Sequence, residues 1–246
     1  MGAAKLSVNI NKYALLRNSR GHNQPDLCAA ADTCIAAGAH GITVHPRMDQ
    51  RHVRFDDVPV LAAHLEAHHP GIEFNVECED HPFLLDLVAK VRPHQCTLVP
   101  VTPGEVTSDH GYDPMADRNR LQEASAPLKA LGIRVSCFAD PDPTTIAAFA
   151  DTGTDRVEIY TGPYAWAWGT PEQGAQVESL RRTIAAAHGA GLGVNAGHDL
   201  DRFNLAGIAD APGLLEVSIG HAQICRALEV GTTQSVQELL RALGWG

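Results

Sequence analysis

Gly41-Ile-Thr-Val-His45 opens on a glycine, runs through three β-branched residues and ends on an imidazole. β-Branched side chains are stiff at χ1 and suit extended backbone, so the run reads as a short strand. Three other segments share its form: Glu73-Phe-Asn-Val-Glu77, Gly193-Val-Asn-Ala-Gly-His198 and Glu216-Val-Ser-Ile-Gly-His221. Each leads apolar residues into a C-terminal group that can move a proton. Strands of an α/β barrel have this polarity: a hydrophobic body, with C-terminal ends gathered at one mouth that carries the chemistry.

Working outward, the whole chain alternates in the same way. Strands are expected at 6–10, 41–45, 72–77, 95–100, 133–138, 156–160, 191–196 and 214–219. Helices are expected at 26–37, 57–68, 81–91, 117–131, 143–151, 172–188, 202–209, 222–230 and 235–243. Leu27, Ala30, Ala31, Cys34 and Ile35 show the helical spacing, and Gly38 stops that helix. Pro127 is expected to kink or shorten its helix. Eight strands favour a closed (β/α)8 TIM barrel with additional helices, one domain spanning 1–246. A doubly wound open sheet is the rival, but no G-x-G-x-x-G follows the first strand and no Walker A sequence occurs.

The bulk numbers agree. A chain of 246 residues, 44% hydrophobic, suffices for one sizeable core. With 19 Lys plus Arg against 29 Asp plus Glu, the net charge of -10 argues against nucleic acid or an anionic membrane as partner. Against that background Arg17, Arg20, Arg47, Arg51 and Arg54 cluster near the N-terminus, where a small anion could use several of them. Six scattered cysteines without a C-x-x-C pair read as buried free thiols of a reducing compartment. No basic-then-apolar leader and no long apolar span is present, so a cytoplasmic location is expected.

In a closed barrel Asn9, His45, Glu77, Thr107, His198 and His221 converge at one opening. Imidazoles serve as acid or base near neutral pH, and burial raises a glutamate into the same range. Gly220-His221 opens a helix whose backbone N–H groups can hold a phosphate. The glycine of Asn195-Ala-Gly-His198 is expected to let the chain turn sharply. The polar stretch 101–111 is long for a βα loop and suggests a lid. Trp166 and Trp168 read as an exposed contact surface, first of a subunit interface and second of a substrate wall. His64, His68 and His69 read as a solvated helix face. There is no H-E-x-x-H and no H-x-H on a strand, so no metal is assigned, although His45, Glu77 and His198 could in principle meet at zinc.

The residues themselves thus point to a barrel that acts on a phosphorylated small molecule by acid–base chemistry. Further markers narrow this: Val8-Asn-Ile10, Leu16-Arg-Asn-Ser-Arg-Gly21, Gly41-Ile-Thr-Val-His-Pro-Arg47, Arg51-His52, Asn75-Val-Glu77, Pro93-His94, Val194-Asn-Ala-Gly-His198 and Ile219-Gly-His-Ala222. In order and evenly spread, they resemble the pyridoxine 5'-phosphate synthase family of vitamin B6 biosynthesis. The resemblance implies a (β/α)8 barrel with extra helices that assembles as an octamer built from dimers. It implies condensation of 1-deoxy-D-xylulose 5-phosphate with 3-amino-2-oxopropyl phosphate to pyridoxine 5'-phosphate, phosphate and water, without a redox cofactor or essential metal.

By the same resemblance His45 and Glu77 are proton acceptors and His198 a proton donor. Asn9, Arg20, Asp199, Gly220 and His221 match positions that hold the aminoketone phosphate. Arg47, His52 and Thr107 match those that hold the deoxyxylulose phosphate, as do Asn11 and Lys12. Two departures stand out. Many members carry Asp-His where this chain has Asn11-Lys12, and a glycine is often found where this chain has Asp199. A carboxylate there is unfavourable beside a phosphate unless it turns away. Two alternatives share the phosphate site: a sugar-phosphate isomerase or epimerase, and a non-catalytic phosphometabolite-binding barrel. Two separate arginines, Arg20 and Arg47, fit two anionic substrates better than one.

Overall fold

The computed structural model describes residues 3–102, 104, 105 and 107–246. Pro103 and Val106, inside the stretch expected to form a lid, lie outside the described residues. Among the described residues, eight parallel strands close into a barrel in sequence order. They are β1 (Lys5–Asn9), β2 (Gly41–Val44), β3 (Glu73–Cys78), β4 (Gln95–Leu98), β5 (Arg134–Ala139), β6 (Arg156–Tyr160), β7 (Gly193–Gly197) and β8 (Leu214–Ile219). β1 closes the ring on β8, with Lys5 opposite Glu216 and Val8 opposite Ile219.

The outer layer contains α1 (Asn11–Asn18), α2 (Leu27–Ala36), α3 (Asp57–His68), α4 (Pro82–Val91), α5 (Arg118–Ala130), α6 (Gly162–Trp166), α7 (Gln173–Gly189), α8 (His221–Val230) and α9 (Thr232–Ala242). The segments expected as helices at 143–151 and 202–209 are 3-10 turns, Ile146–Thr152 and Asn204–Gly207. Asp26 caps α2 by accepting from Ala29 N–H, and Pro82 occupies the first turn of α4, where its missing N–H costs nothing. Pro127 neither ends nor shortens α5, which runs on to Ala130. α1 was not legible in the sequence. Its buried face is Asn11, Tyr13, Ala14 and Arg17, while Leu15 and Leu16 point to solvent, so its pattern is inverted.

The strands alternate between an apolar and a polar face. Apolar side chains such as Val8, Ile42, Val76, Leu98, Val157 and Val217 are fully buried and belong to one hydrophobic core with the helices. Each such side chain contributes about 1.5–3 kcal/mol. The intervening residues build a buried polar network inside the ring. Ser7 Oγ bonds Thr43 Oγ1 at 2.7 Å, Thr97 donates to Asn75 Oδ1 at 3.1 Å, and Arg156 donates to Asn195 Oδ1 at 3.1 Å. Period-two patterning therefore separates an apolar outside from a polar inside, and the polar rows lead up to the mouth.

Candidate active site

At the C-terminal mouth lies a cavity of about 310 Å³. Every residue expected at the site lines it except Arg20: Asn9, Asn11, Lys12, His45, Arg47, His52, Glu77, Thr107, His198, Asp199, Gly220 and His221. Arg20 is exposed and stands outside the cavity of this single chain. Arg17, in the same arginine cluster, is structural: it is buried and forks onto both carboxylate oxygens of Asp57 at 2.7 and 2.8 Å.

His45 and Glu77 form the centre. His45 Nδ1 stands 3.5 Å from Glu77 Oε2, which also accepts from Asn9 Nδ2 at 3.3 Å. Burial dominates both titrations. It holds His45 well below its ordinary value, helped by the charges of Arg47, His52 and Arg51. It raises Glu77 to about 8 against the bond from Asn9. At neutral pH the pair is therefore a neutral imidazole beside a carboxylic acid, rather than an ion pair. Asn11, one of the departures, accepts the His45 backbone N–H on Oδ1 at 2.8 Å and so fixes the end of β2.

The wall that carries Lys12, Arg47 and His52 is cationic, and its arginine already has a partner. Arg47 donates to Glu105 Oε1 at 2.7 Å, so a phosphate reaching this guanidinium must displace the loop carboxylate. His52 falls to about 4 through burial and the positive charges of Lys12, Arg47 and Arg51, and it is neutral at pH 7. Opposite, α8 opens at His221 with Gly220 as its cap. A Cβ at Gly220 would lie 2.9 Å from the Asn9 carbonyl oxygen, so glycine is needed for this close approach.

The turn after β7 differs from expectation. Gly197 does not take the left-handed conformation; His198 and Asp199 do, with φ of 87° and 57°. Non-glycine residues held there are strained, a state usually found at working sites. Gly197 instead makes room for Glu158, whose Oε1 would lie 2.2 Å from a Cβ at that position. His198 Nε2 bonds Thr107 Oγ1 at 3.0 Å. Asp199 lines the cavity, and its carboxylate is engaged there: Oδ2 lies 3.2 Å from His198 Nδ1 and accepts the Trp166 indole N–H at 3.0 Å. Contact with His198 is the main influence holding Asp199 below its usual value. The two tryptophans thus part company. Trp166 is exposed and tied to the site's rim, whereas Trp168 is half-buried against the core beside Tyr164.

Glu158 is the residue that sequence reasoning missed. It sits on β6, is buried, lines the cavity, and has an Oε2 without a hydrogen-bond partner among the described residues. Burial, then the nearby Glu77, pushes it well above the ordinary glutamate value. The available signal was the alternation Arg156-Val-Glu-Ile-Tyr160, which puts a carboxyl on the inner face of a strand. His45, Glu77 and His198 do not converge on one point for a metal. Among the described residues a loop trio does, Glu105, Asp109 and His110, with ligand atoms within 4.8 Å of one another.

Comparison with known proteins identifies the family. A family model described as "Pyridoxal phosphate biosynthesis protein PdxJ" matches residues 6–244. The chain belongs to this family. A pyridoxine 5'-phosphate synthase of Albidiferax ferrireducens is 49% identical, over 98% of this chain and 98% of its own. One from Xanthomonas axonopodis pv. citri is 49% identical over 98% and 97%. Among solved structures, the tryptophan synthase A-subunit of Pyrococcus furiosus superposes with a TM-score of 0.67 at 12% identity, covering 97% of this chain and 98% of that one. The 3-keto-L-gulonate-6-phosphate decarboxylase of Vibrio cholerae gives 0.65 at 11%, covering 99% and 98%. At such identities the structures share the fold with this PdxJ-family chain, while the full-length relatives share its sequence.

Proposed function

We propose that this chain is a pyridoxine 5'-phosphate synthase, condensing 1-deoxy-D-xylulose 5-phosphate with 3-amino-2-oxopropyl phosphate to pyridoxine 5'-phosphate, phosphate and water. The observation that supports the reading is the convergence, in one cavity, of a neutral His45, a protonated Glu77, the Arg47 guanidinium and the Gly220-His221 helix start.

The reaction needs groups that alternate as acid and base. The amine attacks the ketose carbonyl and water leaves, giving an imine; loss of a proton gives an enamine; phosphate leaves, water adds, and the ring closes by carbon–carbon bond formation and aromatises with loss of two further waters. Neutral His45 is ready to accept a proton. Glu77 enters carrying one, so it donates before it accepts. His198, aimed by the strained turn, acts from the opposite side as donor. Glu158, near Glu77, keeps a second protonated carboxyl in the lining of the same cavity. Gly220 and His221 at the α8 start, with Asn9, hold one phosphate. Arg47 and His52, with Lys12 and Thr107, hold the other, so the two dianions occupy separate positive sites. Arrival of that phosphate exchanges Arg47's Glu105 partner for a phosphate oxygen.

By resemblance the chain assembles into an octamer built from dimers, with the exposed Trp166 rim as a contact surface. No helix among the described residues is long and apolar enough to cross a membrane. The test is to incubate the protein with both substrates and to follow pyridoxine 5'-phosphate and released phosphate together. Equal amounts of both, lost in Glu77→Gln and His45→Asn, are expected. A folded, assembled protein that gives no product refutes the reading and moves attention to isomerisation of a single sugar phosphate.

A further inference from the structure

We propose that Asp32, His64 and His69 form a divalent-metal site of the zinc-binding type on the outer layer of the barrel. The sequence placed His64 and His69 on a solvated helix face. The fold instead brings both onto Asp32 of the neighbouring helix α2. His64 Nε2 and His69 Nε2 each lie 2.7 Å from the same oxygen, Asp32 Oδ1. The two imidazoles stand 6.0 Å apart, centroid to centroid, and all three side chains are partly buried.

That arrangement presents two ring nitrogens and one carboxylate oxygen to a common point. Their ligand atoms all lie within 4.8 Å of one another. Zinc takes imidazole nitrogen at about 2.0–2.1 Å and carboxylate oxygen at about 2.0–2.2 Å in tetrahedral geometry, which spaces neighbouring ligand atoms by about 3.4 Å. Opening the two contacts by about 0.7 Å, and bringing the two ring nitrogens to the same spacing, admits the ion, and each ring moves its remaining hydrogen to Nδ1. The frame for this is already rigid. α2 buries Leu27, Ala30, Ala31 and Cys34, and α3 buries Val58, Leu61 and Leu65. Water supplies the fourth ligand from the exposed side. The imidazole and carboxylate donors suit zinc better than the oxygen-seeking magnesium or calcium. None of the three residues lines the cavity. The ion is therefore a clasp between adjacent helices and stands apart from the synthase chemistry.

The test uses the whole chain, stripped with a chelator, and zinc alone as probe. Crystals soaked in one equivalent of zinc should show an anomalous peak between Asp32, His64 and His69. In equilibrium dialysis, the double variant His64→Gln/His69→Gln should lose at least about 10-fold in affinity at this site, since even the outer partners of a ligating histidine are worth 10–100-fold. Zinc should also raise the melting temperature of the wild type and not that of the double variant. The cavity histidines are intact in both proteins, so the difference between isotherms reports this site. Asp32→Asn, whose amide still bonds both rings, repeats the comparison without disturbing the helix pair. Superimposable isotherms in folded variants, or no anomalous density at Asp32, would overturn the proposal.

Discussion

Glu158→Gln should change how stability depends on pH, and the size of the change follows from its burial. In the folded chain Glu158 keeps its proton well above the ordinary glutamate range, because ionising it means charging a buried carboxyl near Glu77. In the unfolded chain it ionises as an ordinary glutamate does, at about pH 4.3. Between that value and its raised one the folded state holds one more proton than the unfolded state. Unfolding free energy therefore falls as pH rises, by about 1.4 kcal/mol per pH unit for a full proton. Glutamine keeps the shape and has no proton to lose. From pH 5 to pH 7 the stability of the variant relative to wild type should therefore rise, with a slope that approaches about 1.4 kcal/mol per pH unit while folded Glu158 keeps its proton. Opposing contributions from His45 and His52, whose folded values are lowered, favour folding as pH rises to about 6.5. They are present in both proteins and cancel in the difference. Urea unfolding at fixed protein concentration, at pH 5, 6 and 7, measures it. Parallel pH dependence in the two proteins would show that Glu158 is ionised when folded and would refute the description of a protonated inner wall.

Three further outcomes are expected. Glu77→Gln and His45→Asn should each lower synthase turnover by about 10²–10⁴-fold while circular dichroism and assembly stay unchanged, the usual worth of a positioned acid or base; turnover within a few fold of wild type would remove them from the chemistry. Arg47→Ala should raise KM for deoxyxylulose 5-phosphate, whereas Glu105→Gln, which frees the same guanidinium, should lower it; steady-state kinetics with each substrate varied in turn would expose a failure if both variants moved KM the same way. Arg17→Ala leaves Asp57 without its bidentate partner and should cost about 3–5 kcal/mol in denaturant unfolding; a loss under 1 kcal/mol would mean that solvent replaces the pair.

The sequence by itself determined the barrel. Apolar runs such as Ile42-Thr-Val44 and Leu214-Leu-Glu-Val-Ser-Ile219, punctuated by glycine and proline, make strands whatever surrounds them, and eight of them in alternation with helices leave few other arrangements. It also marked the site, because strand ends bearing His45, Glu77 and His198 must meet once the ring closes. Other features depended on contacts between segments remote in the chain. Burial makes Glu77 and Glu158 acids, and burial comes from the closed wall. The inward face of β6, which brings Glu158 into the cavity, depends on a register that one residue of slip would reverse. Asp199 next to a phosphate site looked like a liability until the left-handed turn aimed it at His198 and Trp166. His64 and His69 looked solvated until α2 placed Asp32 against them. Propensity and pattern act within a few residues along the chain, whereas charge state and partner choice are set by distances in space, which only the packed tertiary structure fixes.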